Sequence, residues 1–162
     1  KIKISKMIFP IEKVLFQLVN FAISLIAVVI VMVFFRIAPT VNLLALPLLL
    51  VYMLLFCSGL GMLLSALAVF FRDICHFWSV IITAWTYATP LFYPVSLLPD
   101  WMQTAEAFNP MYHYVSYFRD IAMYNTLPGV QENLVCLGIA AITFAVGFLV
   151  FRKTEKKFIL YV

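Results

Sequence analysis

The chain is predicted to be an all-α integral membrane protein, with four transmembrane helices and a short external re-entrant helical hairpin. Three observations predict it. Hydrophobic residues make up 65% of the 162 and charged residues only 11%, at a mean hydropathy of +1.07, far outside the composition of water-soluble domains. The apolar residues come in continuous runs of the roughly 20 that a helical crossing needs, whereas a membrane β-barrel would alternate apolar and polar positions in segments of about ten. Between the third and fourth runs lies a stretch too polar to cross a bilayer and too aromatic to float free of one.

The elements follow in order within a single transmembrane domain, 1–162. Residues 1–13 carry Lys1, Lys3, Lys6 and Lys13 and form a cytoplasmic segment. The chain opens on Lys1 with too little sequence for a cytoplasmic domain or a signal peptide, so a further piece is expected upstream. The first span, 14–35, sets Gln17, Asn20, Ser24 and Ala27 at helical spacing on one stripe. The second, 43–71, has Pro47 near its start, where a missing donor costs little, and a stripe of Ser58, Gly61, Ser65 and Ala68 suited to close helix packing. The last, 133–151, has Gly138, Ala141 and Ala145 in similar register, and a cytoplasmic tail, 152–162, follows.

The third span, 77–98, differs from these. Ser79, Thr83, Thr86, Pro90 and Tyr93 form one polar-tinged stripe, and Pro90 removes the hydrogen bond to the Thr86 carbonyl. Pro94 and Pro99 then fray the helix into extended chain, with Tyr87, Phe92 and Tyr93 as bulky groups beside it. Unpaired carbonyls in a broken span must lie against protein or a watery path. A translocation path is the expectation here, with a kink sealed by a neighbouring helix as the alternative.

The hairpin, 99–130, is read as two short helices, about 101–108 and 111–124, parted at Asn109 and Pro110, since Pro presets the first turn of the helix that follows. Trp101, Tyr112, Tyr114, Tyr117 and Tyr124 are residue types enriched at headgroup depth. Arg119 and Asp120 are expected to pair locally or with Glu106, in a surface pair worth at most about 1 kcal/mol.

Orientation follows from the basic residues. Nine of the eleven, Lys1, Lys3, Lys6, Lys13, Arg72, Arg152, Lys153, Lys156 and Lys157, fall at the two ends and in the second loop, leaving Arg36 and Arg119 for the outer side. Both ends are therefore predicted to be cytoplasmic. The net charge of +4 is a topology signal spread over loop ends; it makes no folded basic patch for nucleic acid. Cys57, Cys75 and Cys136 lack CxxC spacing, so neither a disulfide framework nor a zinc site is expected.

None of the four predicted spans contains Asp, Glu, Lys, Arg or His. Ion-coupled carriers and voltage sensors need such groups within the bilayer. The five glycines form no phosphate-binding loop with a Lys-Ser or Lys-Thr partner. If cargo is pumped, another chain must supply the energy.

Taken together, Phe9-Pro10-Ile11-Glu12, Phe71-Arg72-Asp73-Ile74, the run Tyr87 to Pro94, Leu98-Pro99, Asn109-Pro110-Met111 and Tyr117-Phe118-Arg119-Asp120 resemble the permease subunit of ABC-2 type exporters, in the group that exports polysaccharide, O-antigen and teichoic acid. The resemblance covers essentially the whole chain and implies the last four of six spans. It implies a homodimer on two copies of a separate P-loop ATPase, which carries the ATP and Mg, with no cofactor in this chain. Phe9, Pro10, Glu12, Arg72 and Asp73 would couple to that ATPase. Ser79, Thr83, Thr86, Tyr87, Pro90 and Tyr93 would line the path, and Trp101, Asn109, Pro110, Tyr112, Tyr114, Tyr117 and Arg119 would form the external gate hairpin.

The implied activity is export of a lipid-linked glycan across the bacterial inner membrane, among membrane lipids and without nucleic acid. Two alternatives stand beside it: an ABC-2 exporter of a drug, lipid or other small hydrophobic compound, and a membrane glycosyl- or acyltransferase using His113 or His76 as base near Asp120 or Asp73.

Overall fold

The computed structural model describes residues 8–34, 41–71 and 73–155. Arg72, Arg36 and, of the expected end segments 1–13 and 152–162, residues 1–7 and 156–162 lie outside the described residues, as does the side chain of Phe9. Among the described residues six α-helices follow one another: α1 (Ile8–Phe34), α2 (Leu46–Phe70), α3 (Ile74–Ala88), α4 (Asp100–Glu106), α5 (Pro110–Ala122) and α6 (Val130–Thr154). Short 3-10 turns at Val41–Ala45 and Val95–Leu97 precede α2 and α4. Among the described residues, three segments are long and apolar enough to cross a membrane: Pro10–Phe34, Val41–Phe70 and Val130–Thr154.

The third expected span is shorter than its apolar run. α3 has 15 residues, about 22 Å of helix at 1.5 Å per residue, against a hydrocarbon core of about 30 Å. It stops at Ala88 because Pro90 has no N–H to continue the ladder. The rest of 77–98 is irregular chain carrying one 3-10 turn.

At the centre, α2 packs along the whole of α6 and takes α1 on its other side. Two glycines set the crossing with α6. A Cβ at Gly59 would stand 2.5 Å from the Thr143 carbonyl, and one at Gly147 would overlap the Gly59 carbonyl oxygen. The two backbones therefore touch with no side chain between them, the close approach that small residues allow in lipid. Above this point Tyr52 reaches Asn133, and below it Met62 and Ala66 pack with Phe151, so α2 and α6 run parallel. Val14 of α1 lies beside Gly61 while Leu25 and Met32 share a crevice with Leu43 and Leu46, so α1 runs antiparallel to α2.

The seams differ from those expected along two helices. On α6 the buried positions are Cys136, Ala140, Gly147 and Phe151. Ala141 and Ala145 are exposed, and a Cβ at Gly138 would meet nothing within 4 Å. On α1, Gln17, Asn20, Ser24 and Ala27 are exposed, while Val14, Leu18, Phe21, Leu25, Val28 and Met32 face inward. The outward polar groups bond to their own helix, Asn20 Nδ2 donating to Gln17 Oε1 at 3.3 Å and the Ser24 hydroxyl to the Asn20 carbonyl at 3.0 Å. Of the stripe expected on α2, Ser58 is buried, and Gly61 and Ser65 line the crevice towards α1.

The hairpin helices lie within two residues of their expected bounds, but α5 is seated deeper than a headgroup position allows. Tyr114, Tyr117 and Ile121 are buried with Leu49, Tyr52, Phe56, Cys136 and Ala140 in the main core. The expectation of a wet edge on Tyr114 and Tyr117 is corrected: each is only 2% exposed. Their hydroxyls are accepted inside the bundle, Tyr114 by the Cys136 carbonyl at 3.2 Å and Tyr117 by Asn133 Oδ1 at 2.7 Å. Trp101 and Tyr124 remain exposed.

The glycine contact gives a direct test. Gly147→Ala should destabilise the fold by about 3 kcal/mol or abolish it, since backbone cannot yield as a side chain can. Gly138→Ala, on the same helix, should be neutral within about 0.5 kcal/mol. Thermal unfolding of the two variants in detergent measures the difference.

Candidate functional site: the helix break and its hairpin

Ending α3 inside an apolar layer leaves carbonyls that lipid cannot satisfy, and the local chain answers this group by group. Thr89 N–H closes the last turn on the Trp85 carbonyl at 2.9 Å, and Leu91 N–H donates to the Thr89 carbonyl at 2.7 Å. The Tyr93 hydroxyl folds back to the carbonyls of Ala88, at 2.9 Å, and Tyr87, at 3.2 Å. Arg119, from α5, donates through Nη2 to the carbonyls of Pro90 and Leu91, each at 2.8 Å. All five carbonyls from Tyr87 to Leu91 are thus engaged.

Arg119 was expected to pair with Asp120 or Glu106; its guanidinium bonds these two backbone carbonyls instead. Arginine suits the task because its planar fork holds several donors in fixed geometry.

A second knot sits at Asn109, the N-cap of α5. Its Oδ1 accepts from Met111 N–H at 3.1 Å, the usual N-cap bond, and from Trp85 Nε1 at 2.8 Å. Its Nδ2 donates to Thr89 Oγ1 at 3.0 Å and to Glu106 Oε2 at 2.8 Å. One amide therefore joins the end of α3, the end of α4 and the start of α5. Thr89 and Glu106 are buried polar groups, and such groups are tolerated when hydrogen-bonded. His113 braces the same hairpin, its Nε2 standing 2.8 Å from the Ala107 carbonyl.

The residues expected along a path separate into two sets. Ser79, Thr83, Thr86 and Tyr87 lie exposed along α3. The three hydroxyls donate to carbonyls of their own helix, those of His76, Ser79 and Ile82, at 2.7, 2.8 and 2.7 Å. Pro90, by contrast, is among the most buried residues, and the Tyr93 hydroxyl is occupied in capping α3. In the hairpin Trp101 is exposed, Asn109, Pro110, Tyr112 and Arg119 are half-buried, and Tyr114 and Tyr117 are core.

Of the residues expected to couple, Pro10 is buried in the first turn of α1, Glu12 is exposed there, and Asp73 is exposed at the start of α3. Thr89 and Trp85 were not singled out from the sequence, and Glu106 only as a partner for Arg119 or Asp120. The available signal was Asn109 before Pro110, an N-cap with a free amide edge, and Glu106 three residues upstream. Asn133, which accepts from Tyr117 and donates to the carbonyls of Pro128, at 3.2 Å, and Gly129, at 3.0 Å, was equally visible as an amide opening an apolar run.

Asp120, on α5, stands near Glu132 of α6. Desolvation first, and the Glu132 charge second, hold its carboxyl above the usual carboxylate range.

The sequence profile of the ABC-2 type transporter family matches residues 7–123. The chain belongs to that family, and with its long apolar helices it is a multi-pass membrane protein. Among curated proteins it is similar to the O-antigen export system permease protein RfbA of Myxococcus xanthus, 25% identical over 162 residues that make up 98% of this chain and 62% of that protein. Two proteins of the same description from Klebsiella pneumoniae are 24% and 22% identical over 152 residues, 93% of this chain and 58% of theirs. The chain spans about three-fifths of the length of these relatives.

Two outcomes test the site. Arg119→Leu strips the Pro90 and Leu91 carbonyls of their donor and should cost about 2 to 3 kcal/mol; amide hydrogen exchange should rise across 86–95 while α2 and α6 stay protected. Because the Asp120 carboxyl is raised in the fold, its stabilising contribution is present at low pH and is lost as pH rises through the raised value. Asp120→Asn should therefore unfold at a higher temperature than wild type at neutral pH, with the gap closing as pH falls towards the ordinary aspartate range.

Proposed function

We propose that this chain is part of the membrane permease of an ATP-driven exporter that moves a lipid-linked polysaccharide across the bacterial inner membrane. It would act as a homodimer seated on two copies of a separate P-loop ATPase that binds ATP and Mg. Membership of the ABC-2 type transporter family supports the transport role, and similarity to O-antigen export permeases supports a glycan cargo.

The observation that carries the reading is the sidedness of the bundle. Antiparallel α1 and α2, with α6 parallel to α2, gather Glu12, Asp73 and the basic Arg152 and Lys153 at one end. The Asn42 side chain, bonded to the Asn125 carbonyl at 2.6 Å, marks the other end together with the hairpin. On the positive-inside rule, the first end is cytoplasmic and faces the ATPase, and α4 and α5 lie outward. Glu12 and Asp73, exposed at that end, are then part of the surface that receives force, to which Phe9, Pro10 and Arg72 are assigned by their place in the sequence alone. The exposed face of α3, bearing Ser79, Thr83, Thr86 and Tyr87, lines the path opposite the second copy. The α4–α5 hairpin, locked to the broken end of α3 by Asn109 and Arg119, is the outer gate.

No Asp, Glu, Lys, Arg or His interrupts the apolar middles of the three long helices, in keeping with energy arriving from another subunit.

Purification of the complete reading frame with an affinity tag in mild detergent, followed by mass spectrometry, tests this. An ATPase with a phosphate-binding loop should copurify in equal amount. A stable protein without ATPase would overturn the proposed coupling surface and the energy source together.

A further inference from the structure

Most polar side chains of the hairpin are committed to the protein: Asn109, His113, Tyr114, Tyr117 and Arg119 each have named partners. One flank of α5 is different. There a cleft of about 640 Å3 opens between α5 and the first turns of α6, with Tyr112, His113, Ser116 and Asp120 on one wall and Gln131 and Glu132 on the other. Tyr112, Ser116 and Asp120 are spaced by four residues and share one face of the helix. Among the described residues, no hydrogen bond is made by the Tyr112 hydroxyl, the Ser116 hydroxyl, the Asp120 carboxylate or the Gln131 amide, so four polar groups converge on the cleft with their capacity unspent.

The chemistry of these groups is selective. Neither Lys nor Arg lines the cleft, and two carboxylates do, so phosphates and acidic sugars are repelled. Hydroxyl and amide groups both donate and accept, and the carboxylates accept. The Tyr112 and His113 rings meet edge to face at 5.6 Å between centroids, offering flat apolar area beside these groups. A ligand that fits has many hydroxyl donors, one apolar face and no negative charge. The volume lies within the roughly 300–1,000 Å3 of small-molecule sites.

We propose that this cleft is a subsite for an uncharged sugar residue of the exported chain, placed beside the hairpin and apart from the face of α3. It would hold a segment of glycan that has already passed the break, through hydroxyl bonds to Asp120, Glu132, Ser116 and Gln131 and contact with the Tyr112 ring. The inference rests on the glycan-permease reading, and it places sugar recognition on the flank of α5 that faces the first turns of α6. Hydroxyl bonds to a carboxylate are charge-assisted and carry much of the selectivity.

The test uses the whole permease with its ATPase in lipid nanodiscs, applied to an array of uncharged di- and trisaccharides beside uronic-acid-containing ones, with calcium titrated separately. Uncharged sugars should bind, acidic ones should not, and both Asp120→Asn and Gln131→Ala should weaken binding by about tenfold in complexes that still assemble. No binding of any uncharged sugar would overturn the subsite. So would binding that both variants leave intact, or calcium binding without sugar binding, which would make the cleft a cation site. ATPase copurification is read on the same preparation, so a complex that assembles and ignores sugar refutes the subsite alone, whereas a chain without ATPase refutes the larger reading.

Discussion

Where α2 meets α6, Gly59 and Gly147 leave nothing between two helix backbones, and that contact sets the spacing on which the rest of the bundle depends. Above it, Tyr52 of α2 packs with Tyr114 and Tyr117 of α5 against Cys136 and Ala140 of α6, the rings of Tyr52 and Tyr117 meeting edge to face at 6.4 Å between centroids. These tyrosines seat α5. Its seat in turn delivers Arg119 and Asn109 to the end of α3. A displacement of the glycine contact would therefore be felt at a site that shares no residue with it, because each step is a packed, hydrogen-bonded fit with little slack.

The broken α3 shows how a membrane protein can end a helix early. Lipid offers no hydrogen bonds, and the carbonyls from Tyr87 to Leu91 find their donors within the protein. Tyr93 supplies one from the chain just beyond the break, and α5 supplies another through Arg119. The break and the hairpin thus form one mechanical unit. Any motion that separated α5 from α3 would uncover the Pro90 and Leu91 carbonyls, while a motion that carried both together would leave every bond intact.

Much of this was legible in the sequence, and what was not has a physical cause. Continuous apolar runs located α1, α2 and α6, and Asn109-Pro110 located the start of α5, because N-cap and N1 chemistry is local. Facing was far less legible. In a helix apolar all round, periodicity cannot distinguish the protein side from the lipid side. Gly138 and Gly147 carry the same small-residue signal, but only Gly147 meets another backbone. Tyr114 and Tyr117 were assigned to the headgroup layer on residue type, when their hydroxyl partners, a carbonyl and an amide on α6, made burial possible. The partners of Arg119 are carbonyls, which every residue has, so no pattern of side chains could announce them.

The hydroxyls on the uncovered face of α3 have a consequence of their own. Because Ser79, Thr83 and Thr86 each bond to a carbonyl of the same helix, this row of three hydroxyls needs no outside partner and offers only oxygen lone pairs to whatever passes. It loses little when it goes from a wet neighbour to an oily one, since no donor is stranded in either. A surface of that kind is indifferent to its surroundings. It can slide against sugar, lipid tail or another helix in turn without a bond to break at each exchange, which gives it the character of a bearing more than of a binding site.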